Sequence, residues 1–332
     1  MRRLAIIGAG GWGTALAIAL APRFERIRLW VYEADLAARM RETRENDVFL
    51  PGFRLPPQVE VETGFAPVLE RAEIVLGVMP SHHARRVYGA MLPHLGPEML
   101  FVSATKGIET GTLRRMSEVM VEVLGSRFAP RVGVLSGPTF AREIAAGMPA
   151  AVVLASEDAG LATAIQTAFS GPNFRLYTNP DVTGVELGAA LKNVIAIAAG
   201  VCHALGLGNN TLAALITRGL AEISRLATAM GGRPATLSGL AGLGDLVLTC
   251  NGDLSRNRRV GIELARGRSL DEIVSSTRTV AEGVQTTFAA VELAERFRVE
   301  LPIIRQMEAV LRFGKPPRAA IRELMERSLK GE

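Results

Sequence analysis

The run Leu4-Ala5-Ile6-Ile7-Gly8-Ala9-Gly10-Gly11-Trp12-Gly13, with Glu33 twenty residues beyond it, limits what this chain can become more than any other segment. A short apolar stretch that stops at closely spaced glycines reads as a strand entering a tight turn, with a helix leaving it over roughly 12–20. Gly8 permits the turn, Gly10 lets the backbone approach a ligand unobstructed, and Gly13 lets the helix pack closely on the strand. The free N–H groups and positive dipole end of that helix then face a phosphate. An acidic residue at this distance suits a ribose hydroxyl. Gly8, Gly10, Gly11, Trp12 and Gly13 therefore read as the phosphate side of a dinucleotide site, and Tyr32 and Glu33 as its ribose side. The plain alternative is a strand-to-helix turn that binds nothing.

At 332 residues the chain is longer than one ordinary domain. Its first half alternates strand-like and helix-like segments, the pattern of a parallel sheet wrapped by helices. Strands are expected at 4–7, 27–32, 59–62, 74–78, 99–103, 132–135, 151–155 and 174–177, with 46–57 a loop. After Asn179-Pro180 strand signals fade. Helical patterns take over at 183–205, 209–230, 255–267, 281–297 and 302–313. The expected fold is an α/β Rossmann-type N-terminal domain with a mostly parallel sheet, residues 1–180, and an all-α C-terminal domain, residues 181–332.

Two cysteines, Cys202 and Cys250, suit a reduced, cytoplasmic protein better than a disulfide scaffold. Met1-Arg2-Arg3 has the charge of a signal peptide, but the apolar run behind it reaches the glycines after four residues. No charge-free run is long enough to span a bilayer. The net charge of +5 admits nucleic acid as a partner, yet the basic residues are dispersed and aromatics are 5%, so stacking platforms are scarce. A positive surface equally steers small anionic substrates inward, and that reading is preferred.

Lys192 stands in a helical stretch, 187–201, that is otherwise apolar except for Asn193. Its neighbours at helical spacing are Gly188, Ala189, Ile195 and Ala196, so no carboxylate of its own helix can pair with it. Such a lysine is either desolvated, its pKa lowered toward use as a general acid or base, or it reaches from a helix edge to water. Asp245 is the single charge in the glycine-rich run 237–250, suited to hold Lys192, to orient a hydroxyl, or to cap a helix. Ser255-Arg256-Asn257-Arg258-Arg259 opens a helix with Ser255 as N-cap, combining free N–H groups with guanidinium forks. That combination fits a phosphate monoester, the alternative being a solvated basic turn. Lys106 follows the strand at 99–103, and Ser136-Gly137-Pro138-Thr139-Phe140-Ala141 follows the strand at 132–135. Both therefore sit where ligands bind in open α/β sheets. His82 and His83 have no partners at metal-ligand spacing, and no metal is expected.

Taken together, Gly8–Ala17, Ser103-Ala-Thr-Lys-Gly107, Ser136-Gly-Pro-Thr139, Leu191-Lys-Asn-Val194, Gly242-Leu-Gly-Asp245 and Ser255-Arg-Asn-Arg258 resemble NAD(P)-dependent glycerol-3-phosphate dehydrogenase over nearly the whole chain. The resemblance implies reduction of dihydroxyacetone phosphate to sn-glycerol 3-phosphate, the backbone precursor of phospholipids, by a homodimer. It implies Lys192 as proton donor and acceptor, with Lys106 and Asp245 holding and polarising the substrate. Gly137 and Thr139 would touch substrate, and Ser255, Arg256 and Asn257 would hold its phosphate. Ala141, Lys106, Arg256, Val280 and Glu282 would lie at the cofactor. Two positions depart from the family pattern. Many bacterial members carry a basic or His-containing pair where this chain has Tyr32-Glu33, and a carboxylate there accepts from the 2′-OH of NAD and repels the 2′-phosphate of NADP. NAD(H) is thus the expected cofactor, with NADP(H) possible if Arg39 or Arg41 compensates. Phe140 replaces a residue that is often small or polar. The nearest rival is a β-hydroxyacid dehydrogenase or ketopantoate reductase, whose carboxylate substrate does not need the donors at 255–259. A nucleotide-sensing regulator would need a basic reading element that the chain lacks.

Overall fold

The computed structural model describes residues 1–276, 281–329 and 331. Eight strands form one sheet: β1 (Arg3–Ile7), β2 (Arg26–Trp30), β3 (Val59–Glu62), β4 (Ile74–Gly77), β5 (Leu100–Ser103), β6 (Arg131–Ser136), β7 (Ala150–Ala155) and β8 (Phe174–Asn179). Their order is β3-β2-β1-β4-β5-β6-β7-β8, parallel throughout except where β7 runs antiparallel to β6. Helices cover both faces, which is why every residue of β4 and β5 is buried and neither strand alternates apolar with polar. Ile6, Leu29, Leu76 and Val102 point into one core, and Ala5, Ile7, Val75 and Phe101 into the other.

All eight expected strands are present. β2 stops at Trp30, two residues short of expectation, because Glu33 is already the N-cap of the helix Ala34–Thr43 and Tyr32 must make the bend. The chain leaves β3 at one side of β1 and re-enters at β4 on the other, so β1 and β4 flank the topological switch point, where open α/β sheets bind ligands.

The helical half is organised around Val182–Ala204, whose residues 184–202 are all buried. This helix is long and apolar enough to cross a membrane, but it is buried in protein along its length. Around it pack Gly208–Ala229, Asp245–Asn251, Arg256–Ala265 and Glu282–Phe297. Its crossing with Arg256–Ala265 is backbone against backbone: a Cβ on Gly200 would lie 1.9 Å from the Arg258 carbonyl oxygen, and one on Gly261 1.9 Å from that of Ile197. Only glycine allows that approach. Pro302–Phe313 completes the five long helices expected from sequence. The short helices Asp245–Asn251, Leu270–Ser275 and Pro317–Met325 were not expected, since glycine-rich or brief segments carry too little periodicity. The two halves are tied by Glu186, which accepts from Arg115 Nη1 at 2.8 Å and from the Ser117 backbone N–H at 2.7 Å.

Candidate active site

The glycine turn sits at the C-terminal end of β1. Gly8 has φ +118°, and a Cβ there would fall 2.6 Å from the Val78 carbonyl oxygen. A Cβ on Gly13 would fall 1.9 Å from the Gly8 carbonyl oxygen, so the helix Gly11–Leu20 presses directly on the turn. Gly10 differs: nothing lies within 4 Å of a Cβ built on it. That side of the turn is open, and Gly10 caps the helix without any side-chain acceptor for its first N–H groups. Trp12 Nε1 is a further buried donor without a partner. Open space, unclaimed N–H groups and a positive helix end fit a dinucleotide pyrophosphate. Ala141 begins a helix beside the turn, its Cβ 3.8 Å from the Cβ position of Gly11.

Sequence reading missed the brace of this turn. Asn46 is fully buried and donates from Nδ2 to the Ala9 carbonyl and to Thr14 Oγ1, both at 2.8 Å. Its Oδ1 accepts from the Phe49 N–H at 2.9 Å. A lone Asn inside an expected loop gave no signal.

Tyr32 and Glu33 are exposed at the end of β2, and among the described residues Glu33 has no side-chain partner. Arg39 is occupied by Asp35 and Asp47, each at 3.1 Å. Arg41 donates to the Val61 carbonyl at 3.0 Å and lies 3.9 Å from Glu62. Both arginines that could compensate for Glu33 are therefore engaged elsewhere.

Between the end of β5 and the helical half, two lysines share one carboxylate. Lys192 Nζ donates to Asp245 Oδ1 at 2.5 Å and to Thr249 Oγ1 at 2.7 Å. Lys106 Nζ donates to Asp245 Oδ2 at 2.7 Å and to the Gly137 carbonyl at 3.1 Å. Asp245 is wholly buried and Lys192 is 5% exposed. Desolvation pulls the Lys192 pKa down to about 8, reinforced by the Lys106 charge and opposed by Asp245. Lys192 is thus neither free in its core nor reaching for water. Asp245 does not cap a helix: it is the first residue of Asp245–Asn251, behind the π-helical turn Leu240–Gly244, and Gly244 holds the cap position. The wide turn aims the carboxylate at the lysines, a use for which π-turns are known. Thr249, one helical turn on, was not singled out from sequence.

Gly137 has φ +148°, and a Cβ there would meet Val152 Cα at 2.9 Å, so the turn after β6 closes tightly under Lys106. Thr139 Oγ1 donates to the Gly137 carbonyl at 3.2 Å. The Phe140 ring packs where a Cβ on Gly252 would be, 2.3 Å from its edge.

The helix Arg256–Ala265 begins as expected: Ser255 Oγ accepts from the Arg258 N–H at 3.2 Å. Arg258 turns away to Asp253 at 2.8 Å, leaving Arg256 without a hydrogen-bond or ion-pair partner among the described residues. Arg256 is solvent-exposed by surface area, yet the protein around its guanidinium desolvates it enough to lower its pKa from the ordinary arginine value, and Glu282 acts against that. Asn257 faces inward, its Oδ1 accepting from the Gly283 N–H at 3.0 Å. Glu282, on the next helix, accepts from the Ser81 N–H at 3.0 Å and from Ser81 Oγ at 2.5 Å. Burial raises its pKa, and Ser81 acts against that rise. Beneath this pair lies Gly107, whose Cβ would meet Ser81 Cβ at 2.6 Å. Ser81 is another residue that sequence reading passed over. Val280 lies outside the described residues. Among the described residues no cluster of three or more His, Cys, Asp or Glu could hold a metal.

Residues 3–162 match the family model for the NAD-dependent glycerol-3-phosphate dehydrogenase N-terminus, and residues 181–322 that for its C-terminus. The chain belongs to this family. It is 58% identical over 329 residues to glycerol-3-phosphate dehydrogenase [NAD(P)+] of Koribacter versatilis (strain Ellin345), covering 98% of each chain. It is 52% identical to the protein of the same name from Geobacter sp. (strain M21), covering 99% of this chain and 98% of that one. Among solved structures, glycerol-3-phosphate dehydrogenase from Coxiella burnetii superposes with a TM-score of 0.93 at 39% identity, covering 98% of this chain and 99% of that one.

Proposed function

We propose that this protein catalyses the reversible, NAD(P)H-dependent reduction of dihydroxyacetone phosphate to sn-glycerol 3-phosphate, supplying glycerophospholipid synthesis. The observation that carries the reading is the Lys106–Asp245–Lys192 cluster at the sheet edge that carries the glycine turn, to which the Arg256 helix start is linked through Asn257–Gly283 and Glu282–Ser81. When bound, the nicotinamide cofactor supplies the hydride to the carbonyl carbon. Lys192, cationic below its pKa of about 8, gives a proton from Nζ to the oxygen that gains the electron pair, and recovers one from solvent. In the oxidation direction the neutral amine takes that proton back. Lys106 places a second positive charge beside the developing oxyanion without needing to release a proton. Asp245 and Thr249 hold Lys192 in one position, and Asp245 fixes Lys106 as well. Gly137 and Thr139 form the wall beside Lys106. The N–H groups of the Arg256–Ala265 helix start, the Arg256 guanidinium, Ser255 and Asn257 grip the substrate phosphate.

Gly8, Gly10, Gly11, Trp12, Gly13 and Ala141 would hold the cofactor's phosphates, and Tyr32 and Glu33 its adenosine ribose. Lys106, Arg256, Val280 and Glu282 would hold its nicotinamide side. The free carboxylate of Glu33 supports a preference for NADH. The same reading takes residues 1–180 as the cofactor domain and 181–332 as the substrate domain of a cytoplasmic homodimer. Buried, unbridged Cys202 and Cys250 are consistent with that compartment.

The test is cofactor consumption with dihydroxyacetone phosphate, by NADH and NADPH, in the parent protein and K192A. Turnover that drops about 10²–10⁴-fold in K192A supports the assignment. Absence of turnover with either cofactor refutes it, and a higher kcat/KM for NADPH refutes the NADH preference.

A further inference from the structure

We propose that Arg86 is the residue through which this protein admits NADPH, by binding the 2′-phosphate that Glu33 repels; this rests on reading Tyr32 and Glu33 as the adenosine side of the site. Arg86 lies in the first turn of the helix Ala84–Met91, which follows β4, and Tyr32 lies just past β2. β2 and β4 are the two strands that flank β1, so these residues face each other over the end of the strand that carries the glycine turn. The Arg86 guanidinium carbon stands 5.8 Å from the centroid of the Tyr32 ring. That contact makes no use of its N–H donors, and Arg86 has no hydrogen bond or ion pair among the described residues. Tyr32 is 65% exposed, with the Trp30 ring centroid 6.0 Å from its own.

The chemistry of the place is therefore a carboxylate without a partner, an exposed aromatic ring and a guanidinium with its fork unfilled. A ribose 2′-OH needs only the carboxylate as acceptor. A 2′-phosphate brings about two negative charges beside Glu33 and requires a cation that is not already committed. Arg39 and Arg41 are both engaged, at 3.1 Å by Asp35 and Asp47 and at 3.0 Å by the Val61 carbonyl. Arg86 is not. A guanidinium matches phosphate oxygens two at a time, which an exposed contact with a ring cannot rival. The unmodified ribose leaves Arg86 on Tyr32, whereas the phosphorylated one draws it toward Glu33.

The test is direct binding, followed by the fluorescence of the reduced nucleotides, of NADH and NADPH to the parent protein, R86A and R86K. Substrate turnover plays no part in the readout. R86A should weaken NADPH by about tenfold or more while NADH stays within about twofold, the loss expected for one charge-assisted contact. R86K, which keeps the charge but loses the fork, should recover part of that loss. Thermal melts of the free variants should match the parent, because Arg86 is exposed. Equal weakening of both nucleotides, or of neither, overturns the proposal while leaving the functional reading intact. Failure of the parent to bind either nucleotide overturns both.

Discussion

Replacing Asp245 by asparagine isolates the electrostatics of the lysine pair while keeping the side chain's shape. The carboxylate lies 2.5 Å from Lys192 Nζ and 2.7 Å from Lys106 Nζ, with no exposure to water. The Lys192 pKa of about 8 is a balance in which burial and Lys106 favour the neutral amine and Asp245 favours the cation. An opposite charge at this range shifts a pKa by about 1–3 units, so D245N should bring Lys192 to roughly 5–7. At pH 7 the parent keeps about nine in ten of its Lys192 groups cationic, and the variant about half or fewer. The assay is the pH profile of kcat in the reduction direction. In the parent the rate falls as pH rises through about 8, by about tenfold for each further unit. In D245N the falling limb should begin at least about one unit lower, and in the oxidation direction the rising limb should move the same way. Urea titration at pH 7 should also show a loss of about 1–4 kcal/mol, the interaction that a pKa shift of about 1–3 units represents. A folded D245N whose falling limb stays near that of the parent, or moves upward, refutes the argument.

Two further predictions concern stability. G200A forces a Cβ into a carbonyl oxygen 1.9 Å away; overpacking should outweigh the helix-propensity gain of about 1 kcal/mol, for a net loss of about 2 kcal/mol or more in urea titration. G89A, where nothing lies within 4 Å, should instead gain about 0.5–1 kcal/mol, and equal effects at the two sites would contradict the close-packing account. Glu222 is buried, accepts from the Ile303 and Ile304 N–H groups, and is raised by burial from 4.5 to about 7. The folded protein therefore holds this proton more tightly than the unfolded chain. The resulting stability is fully present below 4.5 and is lost as pH rises through about 7. E222Q does not titrate, so its stability relative to the parent should rise by roughly 3 kcal/mol between those limits. A difference that does not change with pH would refute this.

Lys192 could be picked out from sequence because a lone charge in the apolar stretch 187–201 is conspicuous, and Asp245 because it is the only charge in its glycine-rich run. Neither observation said that they meet. Thr249, Ser81 and Asn46 escaped because each is a common polar residue with nothing unusual in its local pattern. Arg39 and Arg41 were singled out for their nearness to Glu33 along the chain, and the structure shows both committed to other partners.

Local rules determined the strands, the long helices and the glycine turn. Side-chain alternation, helical periodicity and the steric freedom of glycine act within a few residues, so a sequence states them directly. The pairings that make a site act over longer spans. Lys106 reaches Asp245 across 139 positions, Lys192 reaches it across 53, and Ser81 reaches Glu282 across 201. Arg86 comes to Tyr32 only because β2 and β4 both lie beside β1. Those distances depend on strand order, on the backbone contact at Gly200 and Gly261, and on the π-turn that aims Asp245. Packing alone sets all three, because no interaction between neighbours in sequence encodes where distant segments will touch.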